Sequence, residues 1–182
     1  MKSKNLNFLL VSGMSLLGTI LTTLCISNIA AQIGGEFAAV SVVIAFYVAI
    51  GLGGMLAGTI GNLMNSVKAL LAIEIFRILI LIVCMVSKSY SLAFWVSVAF
   101  LFNVSEGVFH ANKYSLIRKS LPDQSERNAF ISKLQGIDSF VAIGAPVAAG
   151  FIVASMSAHL IFAFDIVTYL LSFFFSKNIS PN

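Results

Sequence analysis

Apolar positions run through this chain in six long blocks, at about 8–32, 38–61, 69–87, 91–112, 135–156 and 158–176, with short polar links between them. A block of roughly 20 apolar residues crosses a ~30 Å hydrocarbon layer as a helix. Lipid offers the backbone no hydrogen-bond partners, so only helices and closed barrels span it. The blocks are too long and too evenly apolar for alternating barrel strands. The pattern predicts an all-α membrane protein, one domain over 1–182 with six transmembrane helices. Gly34-Gly35-Glu36, Asn62 to Lys68 and Lys88-Ser89-Tyr90 link the first four spans. One long connection is expected from Lys113 to Lys133, holding Arg118, Lys119, Pro122, Asp123, Glu126 and Arg127.

Composition agrees with the pattern. Hydrophobic residues make up 59% of the chain and charged residues 10%, against about 25% charge in a soluble domain. The net charge of +4 sits in the links, with no basic stripe interleaved with aromatics, so nucleic acid is not an expected partner. Cys25 and Cys84 fall inside apolar blocks and read as small packing residues, not as a disulfide framework or a zinc site. The sequons at Asn103 and Asn178 are weak, and the first lies inside a span. Lys2 and Lys4 precede an apolar run too long for a signal peptide, with no convincing cleavage site after it, so it reads as an uncleaved first span.

Charge placement sets the expected orientation. With the N-terminus inside, Lys2, Lys4, Lys68, Lys113, Arg118, Lys119, Arg127, Lys133 and Lys177 are all cytoplasmic. Lys88 alone is outside, and Arg77 lies within a span. The positive-inside rule then places both termini in the cytoplasm.

The two halves resemble each other. Span three reads Ala72-Ile73-Glu74 and span six Ala163-Phe164-Asp165, each with an acid near its start. Span two carries Gly51, Gly53, Gly54 and Gly58; span five carries Gly144, Pro146 and Gly150. A 3+3 inverted repeat follows as an expectation, a plan common among transporters.

Ionisable residues inside spans mark functional or partnered positions. Asn103, Glu106, His110 and Lys113 recur by three and four, which puts them on one helical face. This stripe is a candidate substrate or proton path, with Glu106 as the candidate proton-accepting carboxylate; the plainer reading pairs Glu106 with Lys113 or His110. Ser12, Ser15, Thr19, Thr22 or Thr23, and Ser27 form a milder stripe on span one, either helix-to-helix hydrogen bonding or cavity wall. Glu74 and Arg77 are spaced to pair with each other near the cytoplasmic surface. Asp165 needs a hydrogen bond across helices, and Asp138 opens span five at the interface. Gly54 and Gly58 form a small-residue packing motif, and Pro146 is expected to kink span five. No HExxH, GxSxG or phosphate-loop motif occurs, and Glu106 with His110 makes no metal site without a third ligand. The chain is read as no enzyme, with no cofactor and no metal.

Taken together, these residues resemble the N-terminal half of a major facilitator superfamily transporter, in the bacterial drug- and siderophore-exporter group that includes macrolide and enterobactin efflux proteins. Gly58 to Leu63 is similar to the family's motif after span two, with Asn62 and Leu63 where the family has Asp and Arg. Glu74 to Arg77 fits the family's acid-x-x-Arg at the start of span three. Ser115 to Ala129 resembles its loop from span four into span five. Ala145-Pro146-Val147-Ala148-Ala149-Gly150 resembles the antiporter signature of span five, with alanine at two glycine positions. Phe164-Asp165 through Ser172 fits its span six.

The resemblance implies half of a major-facilitator fold, with spans one and four lining a cavity, two and five gating it, and three and six packing outside. Ser15, Thr19, Asn103, Glu106 and His110 then become the substrate or proton path, and Gly58, Asn62, Glu74, Arg77, Pro146, Gly150 and Asp165 the gating and structural positions. The expected function is proton-coupled efflux of a small molecule by alternating access, in the bacterial cytoplasmic membrane. The family carries twelve spans and this chain six, so a second six-span half or a homodimer is the expected partner. The rival expectation is a non-transporting interaction or regulatory protein, or an inactive remnant of a transporter.

Overall fold

The computed structural model describes residues 2–63, 65–87 and 91–177, without the side chains of 2–8, 10, 11, 61–63 and 175–177. The expectations resting on Lys88, on Asn178 and on the side chains of Lys2, Lys4, Asn62 and Lys177 lie outside the described residues. The described residues form helices and no strand: α1 Lys2–Leu63, α2 Ser66–Val86, α3 Leu92–Ser120, α4 Gln124–Ser155 and α5 Ala158–Lys177. Helices α1 to α4 are long and apolar enough to cross a membrane; α5 is an apolar helix, shorter over its described side chains.

Helix α1 is bent back on itself. Gly34 (φ −134°, ψ 17°) and Gly35 (φ 72°, ψ −163°) leave the helical region. Gly35 sits where a side chain would clash with its own backbone, a conformation essentially restricted to glycine. The Ser27 hydroxyl lies 3.5 Å from the Ala39 carbonyl, although twelve residues of straight helix would separate them by ~18 Å. The two arms, 2–33 and 36–63, bury Leu21, Cys25, Ile26 and Ala30 on one side of the bend and Ala38 and Val42 on the other in a single core.

The long connection expected over 113–133 is a correction. Helix α3 continues to Ser120 and α4 starts at Gln124, so the non-helical link is only 121–123. Charge made the segment look like a loop, but exposed helix ends carry charge as readily as loops do. The break comes where Pro122 denies a backbone donor and the Asp123 side chain caps α4 by accepting the Glu126 N–H at 2.8 Å. Helix α2 starts in the same way, its Asn65 side chain accepting the Val67 N–H at 3.2 Å.

Arm one and α3 occupy the centre of the bundle. Most of the packing around α1 is against α3, and α2 packs mainly on α5 and α3. Arm two and the second half of α4 are peripheral. Arm two buries a line of mostly small residues, Ala38, Val42, Ala49, Gly53 and Ala57, and α4 buries Ala145 and Ala149. Their other faces carry Phe37 (88% exposed), Met55 (79%), Phe140 (79%) and Ile143 (77%). Gly58, Pro146 and Gly150 are exposed on these same elements, and α4 runs through Pro146 as one helix. The interior, by contrast, holds Glu74, Arg77, Glu106, Lys113 and Asp165. Large apolar side chains outside and charges inside reverse the arrangement of a water-soluble domain and are what a hydrocarbon surround favours.

Candidate functional site

Arg77 is the centre of the buried polar cluster. It projects from the middle of α2 and is fully buried. Its guanidinium presents donors in a fixed fork, and each arm of the fork has a partner: Nε donates to Ser105 Oγ at 2.9 Å, Nη1 to Ser15 Oγ at 2.9 Å and Nη2 to Glu106 Oε2 at 2.6 Å. The rings of Phe109, Tyr169 and Phe102 lie 4.9, 5.2 and 5.9 Å from the guanidinium carbon, close enough for cation–π attraction. Arm one, α2, α3 and α5 thus meet at one cation.

Glu106 has three partners. Besides Arg77, its Oε2 accepts the Thr19 hydroxyl at 2.8 Å, and Oε1 lies 2.8 Å from His110 Nε2. Thr19 also lies 3.0 Å from the Tyr169 hydroxyl. His110, 31% exposed, joins the cluster to its surroundings. The acids on α2 and α5 are held differently. Asp165 accepts hydroxyl hydrogen bonds from Thr22 and Thr168. Gly18 permits this approach, since a Cβ there would strike the Asp165 carboxyl. Glu74 accepts from Ser172 at 2.5 Å through Oε1, and its buried Oε2 has no partner among the described residues. Neither acid has a cation within ion-pair distance among the described residues.

A second polar cluster lies two turns from Glu106 along α3. Lys113, 1% exposed, donates to Ser12 Oγ at 2.7 Å and to Asp138 Oδ2 at 3.0 Å; Ser12 donates to Asp138 Oδ1 at 3.2 Å. This ties arm one, α3 and α4 together.

Asn103, Glu106, Ser15 and Thr19 are all buried within the bundle, and of the expected pathway residues only His110 reaches its surface. The Asn103 side-chain amide donates to the Ala99 carbonyl at 2.7 Å, and its Oδ1 has no partner among the described residues. Two pairings differ from the expected ones. Arg77 pairs with Glu106 across helices instead of with Glu74 on its own, and the pair lies deep inside, away from any surface. Of the two partners expected for Glu106, His110 is the one it meets, and Lys113 pairs with Asp138 instead. Asp138, part-buried, is therefore a member of a hydrogen-bonded network. Ser105, Thr168, Tyr169 and Ser172 belong to the cluster and escaped the sequence reading; hydroxyls are cheap in apolar helices and give no signal until their partners are known. Among the described residues no group of three or more His, Cys, Asp or Glu is placed to hold a metal ion.

The chain matches no protein-family model, no curated protein and no solved structure.

Proposed function

We propose that the chain is a six-span half of a proton-coupled small-molecule transporter, resembling the N-terminal half of a major facilitator exporter. The observation that carries this reading is the buried cluster itself. Three carboxyls, Glu74, Glu106 and Asp165, are buried in one bundle, and Glu106 contacts both a buried guanidinium and a partly exposed imidazole. Such groups are costly in a bundle with an apolar exterior and are retained where protons or substrates move. The cluster draws on arm one, α2, α3 and α5, so a change in its protonation acts on four helical segments at once.

Several features support the finer points of the proposal. The bend at Gly34-Gly35 divides α1 into two arms, each long enough to span, which is compatible with six crossings. Glu74 and Asp165 hold matching places in the two sequence halves, and each is buried and capped by a hydroxyl from another helix. That correspondence is what a 3+3 repeat gives. The exposed apolar faces of arm two and α4 suit contact with a second half or a second copy. The basic links favour an orientation with both termini in the cytoplasm.

Asp165→Asn tests the coupling. The amide keeps the shape and can keep both hydroxyl contacts, and no ion pair is lost with the charge. In vesicles carrying a tandem fusion of two copies, accumulation of a lipophilic dye should require a pH gradient. The substitution should abolish that requirement while leaving the melting temperature nearly unchanged. Dye handling that ignores the gradient in the unsubstituted fusion would refute proton coupling.

A further inference from the structure

A groove of about 360 Å³ opens between arm two, α2 and α3, lined chiefly by Leu56, Ile60, Ala72, Ile73, Phe76 and Val108. Leu56, Ala72 and Phe76 are exposed, so the groove faces outward from the bundle. Its lining is apolar almost throughout. The one hydroxyl on its wall, that of Ser105, is already engaged, donating to the Phe102 carbonyl at 2.5 Å and accepting from Arg77. A polar ligand would find no free hydrogen-bonding group here, whereas a hydrocarbon chain would lose nothing by entering.

One end of the groove is basic. Ala69 lines it, and Ser66 lies three residues earlier at the start of α2, about 4.5 Å along the axis. Lys119, in the last turn of α3, donates to Ser66 Oγ at 3.2 Å. Lys68 and Arg118, two residues after Ser66 and one before Lys119 in sequence, are exposed, as is Lys119. The acids that follow in sequence are Asp123 and Glu126, both exposed, with the Asp123 carboxylate taken up in capping α4. Basic residues just cytoplasmic of apolar helices attract anionic headgroups.

We propose that this groove holds an acyl chain of an anionic phospholipid whose phosphate is taken by Lys68, Arg118 and Lys119. The proposal rests on the membrane-spanning reading above and goes beyond it. The bound lipid fills the gap between arm two and α2, which otherwise barely touch. Its occupancy therefore bears on how arm two sits against the bundle.

Native mass spectrometry of protein released from mixed phosphatidylglycerol and phosphatidylcholine nanodiscs tests the site. The unsubstituted chain should retain phosphatidylglycerol preferentially. Replacing the three bases with Gln should weaken retention by roughly fivefold per base. Ala72→Phe, which fills the groove from an exposed position, should release the lipid with every base intact. Ile82→Phe, at an exposed position on α2 that does not line the groove, should change nothing. Equal retention of both lipids by the unsubstituted chain would overturn the proposal. So would full retention by Ala72→Phe, which would reduce the bases to a charged rim without an acyl site. A chain that fails to enter nanodiscs would instead count against the membrane-spanning reading.

Discussion

Arg77→Met is expected to destabilise the bundle by about 3–5 kcal/mol, because it leaves Glu106 charged and buried without its guanidinium. Ser15 and Ser105 lose a donor in the same step, and three aromatic rings lose the cation they surround. Arg77→Lys should fall in between, since one ammonium cannot reproduce the three-way fork. The decisive variant is the pair Arg77→Met with Glu106→Gln. Removing both charges leaves no uncompensated ion, so the double substitution should recover part of the loss caused by the single one. Thermal unfolding of the purified protein in detergent measures all three. A double variant no more stable than Arg77→Met would show that the ion pair is not what holds these helices together.

Gly107→Val should cost about 1–3 kcal/mol or more by overpacking. A Cβ at Gly107 would meet the Ile50 carbonyl, the Gly54 amide nitrogen and the Gly53 Cα, and one at Gly53 would meet the Val104 carbonyl and the Gly107 Cα. Backbone, unlike the tip of a long side chain, has nowhere to turn. Arm two must move off α3, and the line of small residues it buries is exposed. Gly58→Ala is the contrast, because its Cβ would enter open space; the expected change lies within about ±0.5 kcal/mol. Melting temperatures of the two variants measure the difference. Equal losses would mean that the Gly53–Gly107 approach does not hold arm two.

These residues also mark how far the sequence could be read. Two of the apolar blocks coincide closely with helices: that at 69–87 with α2 Ser66–Val86, and that at 158–176 with α5 Ala158–Lys177. Hydropathy reports the part of a helix that lies in hydrocarbon, so it missed the polar ends of α3 and α4, where capping at Asp123 sets the boundary. The sequence offered Gly54 and Gly58 as a small-residue packing motif, yet a Cβ on either would meet nothing, whereas one on neighbouring Gly53 would strike the α3 backbone. A helix of several glycines does not say which of them meets its neighbour. Three-and-four spacing placed Asn103, Glu106 and Lys113 correctly on an inward face. The same rule paired Glu74 with Arg77, and there it failed: Arg77 reaches across to α3, where a carboxylate, two serines and an aromatic cage meet the whole fork. Spacing along a helix carries no information about that competition.

The central claim is that the chain crosses a bilayer six times around the Arg77–Glu106 cluster, with α1 folding back at Gly35. Labelling by a membrane-impermeant thiol reagent tests it most directly, in a background where Cys25 and Cys84 are replaced by alanine. Single cysteines at the exposed positions Glu36 and Ser157 should react from outside intact cells, and those at Lys68 and Gln124 only after the membrane is opened. Labelling of all four positions from the same side, or protection of Glu36 together with Lys68, would contradict the six-crossing arrangement.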